Sequence, residues 1–159
     1  MFSQIKHRKN NTENNWNTPK TAVDAIIHLV PKNSVVYEPF WSKDSKSHIY
    51  LQEHGFKTVS HVGDFYSDPP DCNIIVTNPP FSDIQRVLSR LFELGKPFIL
   101  IVPLSLIVRQ YFRQYKDKVS ILIPAKRIQF ESATSKNRSP FDCCYITSLT
   151  LDSNLIYLE

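Results

Sequence analysis

Apolar residues recur along this chain with two periods, and the switches between them mark a series of helices and strands. Ala22, Val23, Ile26, Ile27 and Val30 fall at helical spacing. Ahead of them Thr18-Pro19 suits a helix start, Thr as N-cap and Pro at the first helical position, and Pro31 ends the run. A short strand is predicted over residues 34–37, then a helix over 45–54 closed by Gly55, then a strand over 56–62. Residues 73–77 read as a buried strand. Ile84, Val87, Leu88, Leu91 and Phe92 follow as one helical stripe that Gly95 terminates. Further elements are expected at 97–102 (strand), 104–115 (helix) and 119–123 (strand). A polar loop over 132–140 precedes two last runs, 142–150 and 154–158, which read as a hairpin closing across Asp152-Ser153.

Strands that alternate with helices imply an α/β fold: a mostly parallel sheet with helices on both faces and an antiparallel C-terminal hairpin. Neither an internal repeat nor a second domain is visible, so residues 16–159 are expected to form one domain, preceded by a flexible, polar, Asn-rich arm over 1–15. At 159 residues such a domain buries roughly two-thirds of its unfolded surface. The apolar run 98–102 sits between Pro97 and Pro103, far short of the about 20 residues of a membrane span. Lys6, Arg8 and Lys9 have no apolar segment behind them, which argues against a secretory signal. Cys72, Cys143 and Cys144 show no metal-ligand spacing and leave an odd thiol, as expected of an intracellular protein of the cytoplasm or nucleus.

Charge sharpens this picture. The chain carries a net +4, yet residues 103–140 hold eight Lys or Arg against only Asp117 and Glu131. A phosphate-bearing partner, nucleic acid, accounts for such a cluster; solvated helix faces are the plainer alternative. Lys126, Arg127, Lys136 and Arg138 are the candidate nucleic-acid contacts, with Lys6–Lys9 of the arm beside them.

The most distinctive stretch is Asn78-Pro79-Pro80-Phe81, at the end of the apolar run Ile74-Ile75-Val76. Two prolines fix φ and remove two donors, a poor way to make a plain turn. They do hold an amide side chain and a backbone carbonyl in a fixed fork. In open α/β sheets, ligands bind beyond the carboxyl ends of the strands. A planar nitrogen heterocycle with an exocyclic amine suits this fork, with Phe81 stacked on its face. The plainer readings are an Asx turn for Asn78 and a core aromatic for Phe81.

The order Thr18-Pro19, Glu38-Pro39-Phe40, Asp64-Phe65, Asn78-Pro79-Pro80-Phe81 and Arg127-Ile128-Gln129-Phe130 resembles the adenine-N6 nucleic-acid methyltransferases. The closest pattern is the subgroup whose cofactor motifs precede the Asn-Pro-Pro-aromatic motif, small viral and phage members included. The likeness runs from about Trp16 to Phe141. It implies a Rossmann-like class I methyltransferase fold, S-adenosylmethionine as cofactor, and adenine in nucleic acid as acceptor, DNA favoured over RNA. Asn78, Pro79, Pro80 and Phe81 would be catalytic. The Asn78 carboxamide oxygen and the Pro79 carbonyl would accept the two N6 hydrogens, turning the nitrogen lone pair toward the methyl donor. Glu38 would contact the cofactor near its methionine end, Thr18 and Pro19 would approach that end too, and Pro39, Phe40 and Asn78 would also bind the cofactor. Asp64 would accept its adenine amine and Phe65 would pack on its ring.

The chain also departs from that pattern. No glycine follows the first strand, where Glu38-Pro39-Phe40-Trp41-Ser42-Lys43-Asp44-Ser45-Lys46-Ser47 stands, and Ser60-His61 ends the second strand in place of an acid. A weak or inactive methyltransferase-like subunit that binds nucleic acid or scaffolds a partner is therefore an alternative. An enzyme that methylates a protein glutamine amide is another, disfavoured by Phe81 and the basic segment. With no separate recognition domain, a homodimer or partner subunit would supply further binding surface.

Overall fold

A computed structural model of the chain describes residues 16–41, 44–60, 63–132 and 138–159. Seven strands are seen there: β1 (Val35–Tyr37), β2 (Lys57–Val59), β3 (Ile74–Thr77), β4 (Phe98–Pro103), β5 (Ser120–Ile123), β6 (Cys143–Thr147) and β7 (Leu155–Tyr157). They form one sheet in the order β2-β1-β3-β4-β6-β5-β7, in which β6 alone runs antiparallel to its neighbours. The helices are α1 (Lys20–Asp24), α2 (Ser47–Glu53) and α3 (Ile84–Leu94).

Alternation along the strands builds two cores. Tyr37, Ile75, Phe98, Leu100 and Val102 point to one face and meet Val87, Leu88 and Leu91 of α3. Val36, Ile74, Ile99 and Ile101 point to the other and meet Ala22 and Val23 of α1, Ile26 behind it, and Leu51 of α2. A strand buried on both faces reads as a continuous apolar run, which is why 74–76 and 98–102 carry no polar residue. The result is a doubly wound, Rossmann-like sheet. From β1 the chain winds outward to β2, whereas β3 and β4 follow on the other side. The order thus reverses between β1 and β3, whose carboxyl ends lie side by side, with Val36 opposite Ile74 and Tyr37 opposite Ile75.

Three local expectations are corrected. The C-terminal runs are both strands but form no hairpin: β6 lies between β4 and β5, and β7 pairs in parallel with β5, Ile121 opposite Leu155. All five residues of β6 are buried, so it needs a strand on each side, whereas β7 exposes Leu155 and Tyr157 and suits an edge. The helix expected over 104–115 is instead two 3₁₀ segments, Leu104–Val108 and Gln110–Tyr115, separated by an extended Arg109. The buried residues Leu106, Phe112 and Tyr115 do not return at helical spacing, and Val108 is 81% exposed. Finally, α1 lasts only to Asp24. Pro19 takes the N-cap position and Thr18 caps nothing. α3 ends as predicted, at Gly95 with φ 69°.

Candidate active site

Two residues just past the adjacent strand ends, Glu38 after β1 and Asn78 after β3, define the site. Glu38 is 2% exposed. Burying a carboxylate costs several kcal/mol unless donors meet it, and here hydroxyls do so. Ser47 Oγ donates to Oε2, and Thr77 Oγ1 donates to Oε1 at 3.3 Å. Ser45 Oγ lies 3.0 Å from Ser47 Oγ and extends the chain of hydroxyls. The serines of the glycine-free segment thus take up the carboxylate next to the strand end.

Asn78 is buried too, and no donor among the described residues reaches its Oδ1. Leaving a buried acceptor without a donor costs about 1–3 kcal/mol. Asn78 lines two recesses, both partly open to solvent. The first is walled by Pro79, Pro80 and four aromatic rings, Trp16, Phe81, Phe130 and Phe141. Phe81 and Phe141 meet edge to face, centroids 5.1 Å apart. On the other side of Asn78, Thr18, Glu38, Ser47 and Thr77 give the second recess a polar end, while α1 residues, Ile99, Ile101 and Tyr145 make the rest apolar. Tyr145 donates its hydroxyl to Ala22 O at 2.7 Å, which fastens α1 to β6; burial pushes that phenol's pKa well up.

The aromatic recess is assembled from segments distant in sequence. Asn17 and Glu131 exchange backbone hydrogen bonds of 2.6 and 2.9 Å, which ties the segment of Trp16 to that of Phe130, and both rings line the recess. Arg127 holds the residues before β6. Its Nε donates to Asp142 Oδ1 at 2.7 Å, and one terminal nitrogen, Nη2, donates to Ser139 O at 2.6 Å and Phe141 O at 3.0 Å. Arg127, expected as a nucleic-acid contact, thus also bonds to its own chain through Nε and Nη2. Lys126 and Arg138 are exposed as expected, and Lys136 and the arm at 6–9 lie outside the described residues.

Of the residues expected to hold a cofactor, Thr18, Glu38 and Asn78 share one recess. Pro19, Pro39 and Phe40 are buried but do not line it, and Phe40 packs in the core that faces α3. Asp64 and Phe65 are not brought there. One oxygen of Asp64 accepts from the amides of Tyr66 (3.0 Å) and Ser67 (3.1 Å), capping its own turn. That turn drives Phe65 into the core at 0% exposure, packed edge-on against Phe40 and Tyr66, so its ring cannot lie against a ligand in this conformation. The turn is in turn fixed to α3: Tyr66 donates to Asp83 at 2.7 Å, Arg86 lies 3.8 Å from the Tyr66 ring centroid, and Arg90 donates to Phe65 O.

Sequence reasoning did not single out Trp16, Phe141, Ser47 or Thr77 as site residues. For the aromatics, no local pattern exists. For Ser47 and Thr77 the signal was there, small hydroxyls flanking a buried acid, but it reads equally well as helix-cap chemistry.

No protein-family model and no curated protein matches the chain. Among solved structures, it is similar to a Pyrococcus horikoshii protein provisionally described as an RNA methyltransferase. That match has 16% sequence identity over 92% of this chain and 91% of the other, with a TM-score of 0.48.

Proposed function

We propose that this protein is an S-adenosylmethionine-dependent methyltransferase acting on the exocyclic N6 amine of adenine in nucleic acid, with DNA the favoured acceptor and RNA the second. The observation that carries this reading is the buried Asn78 Oδ1, which no donor among the described residues reaches, on a residue that lines both an aromatic recess and a recess bordered by a buried carboxylate.

S-adenosylmethionine, when bound, supplies an electrophilic methyl on a cationic sulfonium. The residues present fit its charged end: Glu38, Thr18, Ser47 and Thr77 offer an anion and hydroxyls in one recess, and Glu38 would bind there. On the acceptor side, Asn78 Oδ1 accepts one N6 hydrogen and the Pro79 carbonyl accepts the other. The two prolines hold both acceptors still, which favours a pyramidal amine. Phe81, with Phe130, Phe141 and Trp16 around it, stacks on the base and keeps water out, offsetting the few kcal/mol lost when a base leaves its stack. The nitrogen that gains the methyl is cationic and strongly acidic, and it gives up its proton to water as the product leaves the recess, so no dedicated base is called for.

A second reading is a weakly active or inactive subunit that retains nucleic-acid binding. What favours it is that Asp64 spends an oxygen on its own turn and Phe65 is buried away from the recess. Labelled S-adenosylmethionine offered with DNA, RNA and protein acceptors decides between them. Label on adenine N6 that Asn78→Ala abolishes supports the proposal, and equal labelling by that variant defeats it. Calorimetry with S-adenosylmethionine, in which Glu38→Gln binds about tenfold more weakly than wild type, supports the cofactor assignment. Absence of binding by the wild-type protein, with nucleic-acid binding kept, supports the second reading.

A further inference from the structure

Arg127 lies in the basic segment, yet its Nε and Nη2 donors are turned inward. The guanidinium spans three groups of a single stretch, residues 139–142, with Asp142 Oδ1 at 2.7 Å, Ser139 O at 2.6 Å and Phe141 O at 3.0 Å. Gln129 Oε1 stands at 3.4 Å from the remaining terminal nitrogen. These three bonds use the Nε and Nη2 donors, and Nη1 is the nitrogen that a phosphate could meet without breaking them. Charge-assisted bonds of this kind contribute about twice as much as neutral ones.

The stretch that it holds bears Phe141, whose ring forms one wall of the aromatic recess and meets Phe81 at an interplanar angle of 86°. Ser139, itself buried, adds a bond from the Phe141 amide to its own Oγ at 3.3 Å. Arg138 and Pro140 on either side of Ser139 are exposed, and a backbone anchor besides Arg127 is Leu104 N–H, which donates to Asp142 O at 2.8 Å.

We infer that Arg127 is a positioning residue of the acceptor recess: it fixes the backbone of residues 139–142 so that Phe141 is already in place beside Phe81 before a base arrives. The inference rests on the adenine reading of the recess for its functional meaning, but the clamp can be tested apart from it. A planar fork is required to reach a carboxylate and two carbonyls together. Lysine, a point charge on a flexible stem, keeps the charge and loses the geometry. A phosphate-contacting arginine behaves differently: lysine substitutes for it in part, and its loss lowers the salt dependence of binding.

The test compares wild type, Arg127→Lys and Arg127→Gln in the full chain. Hydrogen exchange is followed at the amides of residues 139, 141 and 142. Adenosine 5′-monophosphate binding is followed by quenching of Trp16, in a Trp41→Phe background that leaves one indole. Binding of an adenine-containing single-stranded DNA is followed against salt. Both variants are expected to exchange about tenfold faster at 139–142 and to bind the nucleotide about tenfold more weakly, with the salt slope unchanged. Unchanged exchange overturns the clamp. So does nucleotide binding by Arg127→Lys at wild-type strength together with a salt slope lowered by about one in Arg127→Gln. Failure of the wild-type protein to bind the nucleotide defeats the adenine reading alone. The exchange arm then decides the clamp, faster exchange supporting it and unchanged exchange overturning it.

Discussion

The ring of Phe141 meets that of Phe81 edge-on, centroids 5.1 Å apart and planes at 86°, although one follows β3 and the other precedes β6. β4 separates those strands in the sheet, so the contact forms above its carboxyl edge, where the aromatic recess opens. Edge-to-face pairs contribute about 0.5–1.5 kcal/mol beyond their burial. The pair also leaves ring surface facing the recess.

Phe81→Ala is expected to weaken binding of an adenine nucleotide by about 1–3 kcal/mol, the range measured for a lost base–aromatic stack. Phe141→Ala should act in the same direction through the loss of its partner wall. Fluorescence titration of Trp16 measures both. Wild-type affinity in Phe81→Ala removes stacking from the account.

Asn78 gives opposite signs for stability and activity. Because no donor among the described residues reaches its Oδ1, Asn78→Ala removes a buried acceptor that they leave unsatisfied. The variant should be as stable as wild type, or more stable by up to about 1 kcal/mol. Methyl transfer should fall by about a hundredfold or more, as for loss of one preorganised polar group. Urea unfolding and label transfer test the two halves. A loss of more than about 2 kcal/mol in stability means that Asn78 is a structural residue.

Gly63 is the glycine on which the Asp64 turn depends. At φ +72° a Cβ there would fall 2.1 Å from Asp68 O, inside the backbone pair that Asp64 and Asp68 exchange at 2.8 Å. Gly63→Ala therefore costs about 2 kcal/mol or more and frees Tyr66 from Asp83. Thermal unfolding should show the cost, and an unaltered melting temperature would contradict it.

Burial pushes the Cys143 thiol up to about 12 and the Cys144 thiol up to about 11. Almost no thiolate exists at either site at about pH 8. Iodoacetamide should leave both unmodified in the native protein and alkylate them after denaturation, as read by mass spectrometry of the peptides. Rapid native labelling would show that β6 is accessible.

Asp24 accepts from His54 at 2.7 Å and from Lys20 at 3.0 Å, which clasps α1 to the end of α2. The hydrogen bond from His54, and after it that from Lys20, holds the carboxyl below the usual range against the opposing effect of burial. A depressed folded pKa contributes stability above the unfolded value of about 3.9 and loses it as pH falls through the folded value. Asp24→Asn should thus be less stable than wild type at neutral pH, by less than about 1 kcal/mol because the group is solvated. The two should converge in acid. A gap that persists in acid assigns the effect to packing.

Much of the sheet was legible in single runs of residues. Ile74-Ile75-Val76 and residues 98–102 have no polar member because both faces of those strands are covered, and the stripe of α3 was readable for the converse reason. The closing runs misled because a strand pattern states burial but no neighbour: β6 and β7 pair with β5 instead of with each other. Residues 104–115 misled because apolar content was read without its spacing. The internal bonds of Arg127 were not legible, because charge in a sequence does not say whether a carboxylate and two carbonyls stand within its reach.

By itself the sequence determined the parallel α/β architecture and the rigid fork at Asn78-Pro79-Pro80, because periodicity and the dihedral limits of proline act on neighbouring residues. Tertiary structure alone decided the rest: the side-by-side placement of Glu38 and Asn78, the four rings drawn from separate segments, and the inward turn of Phe65. Each depends on which strand ends adjoin and which loops pack together, and local propensity does not contain that information.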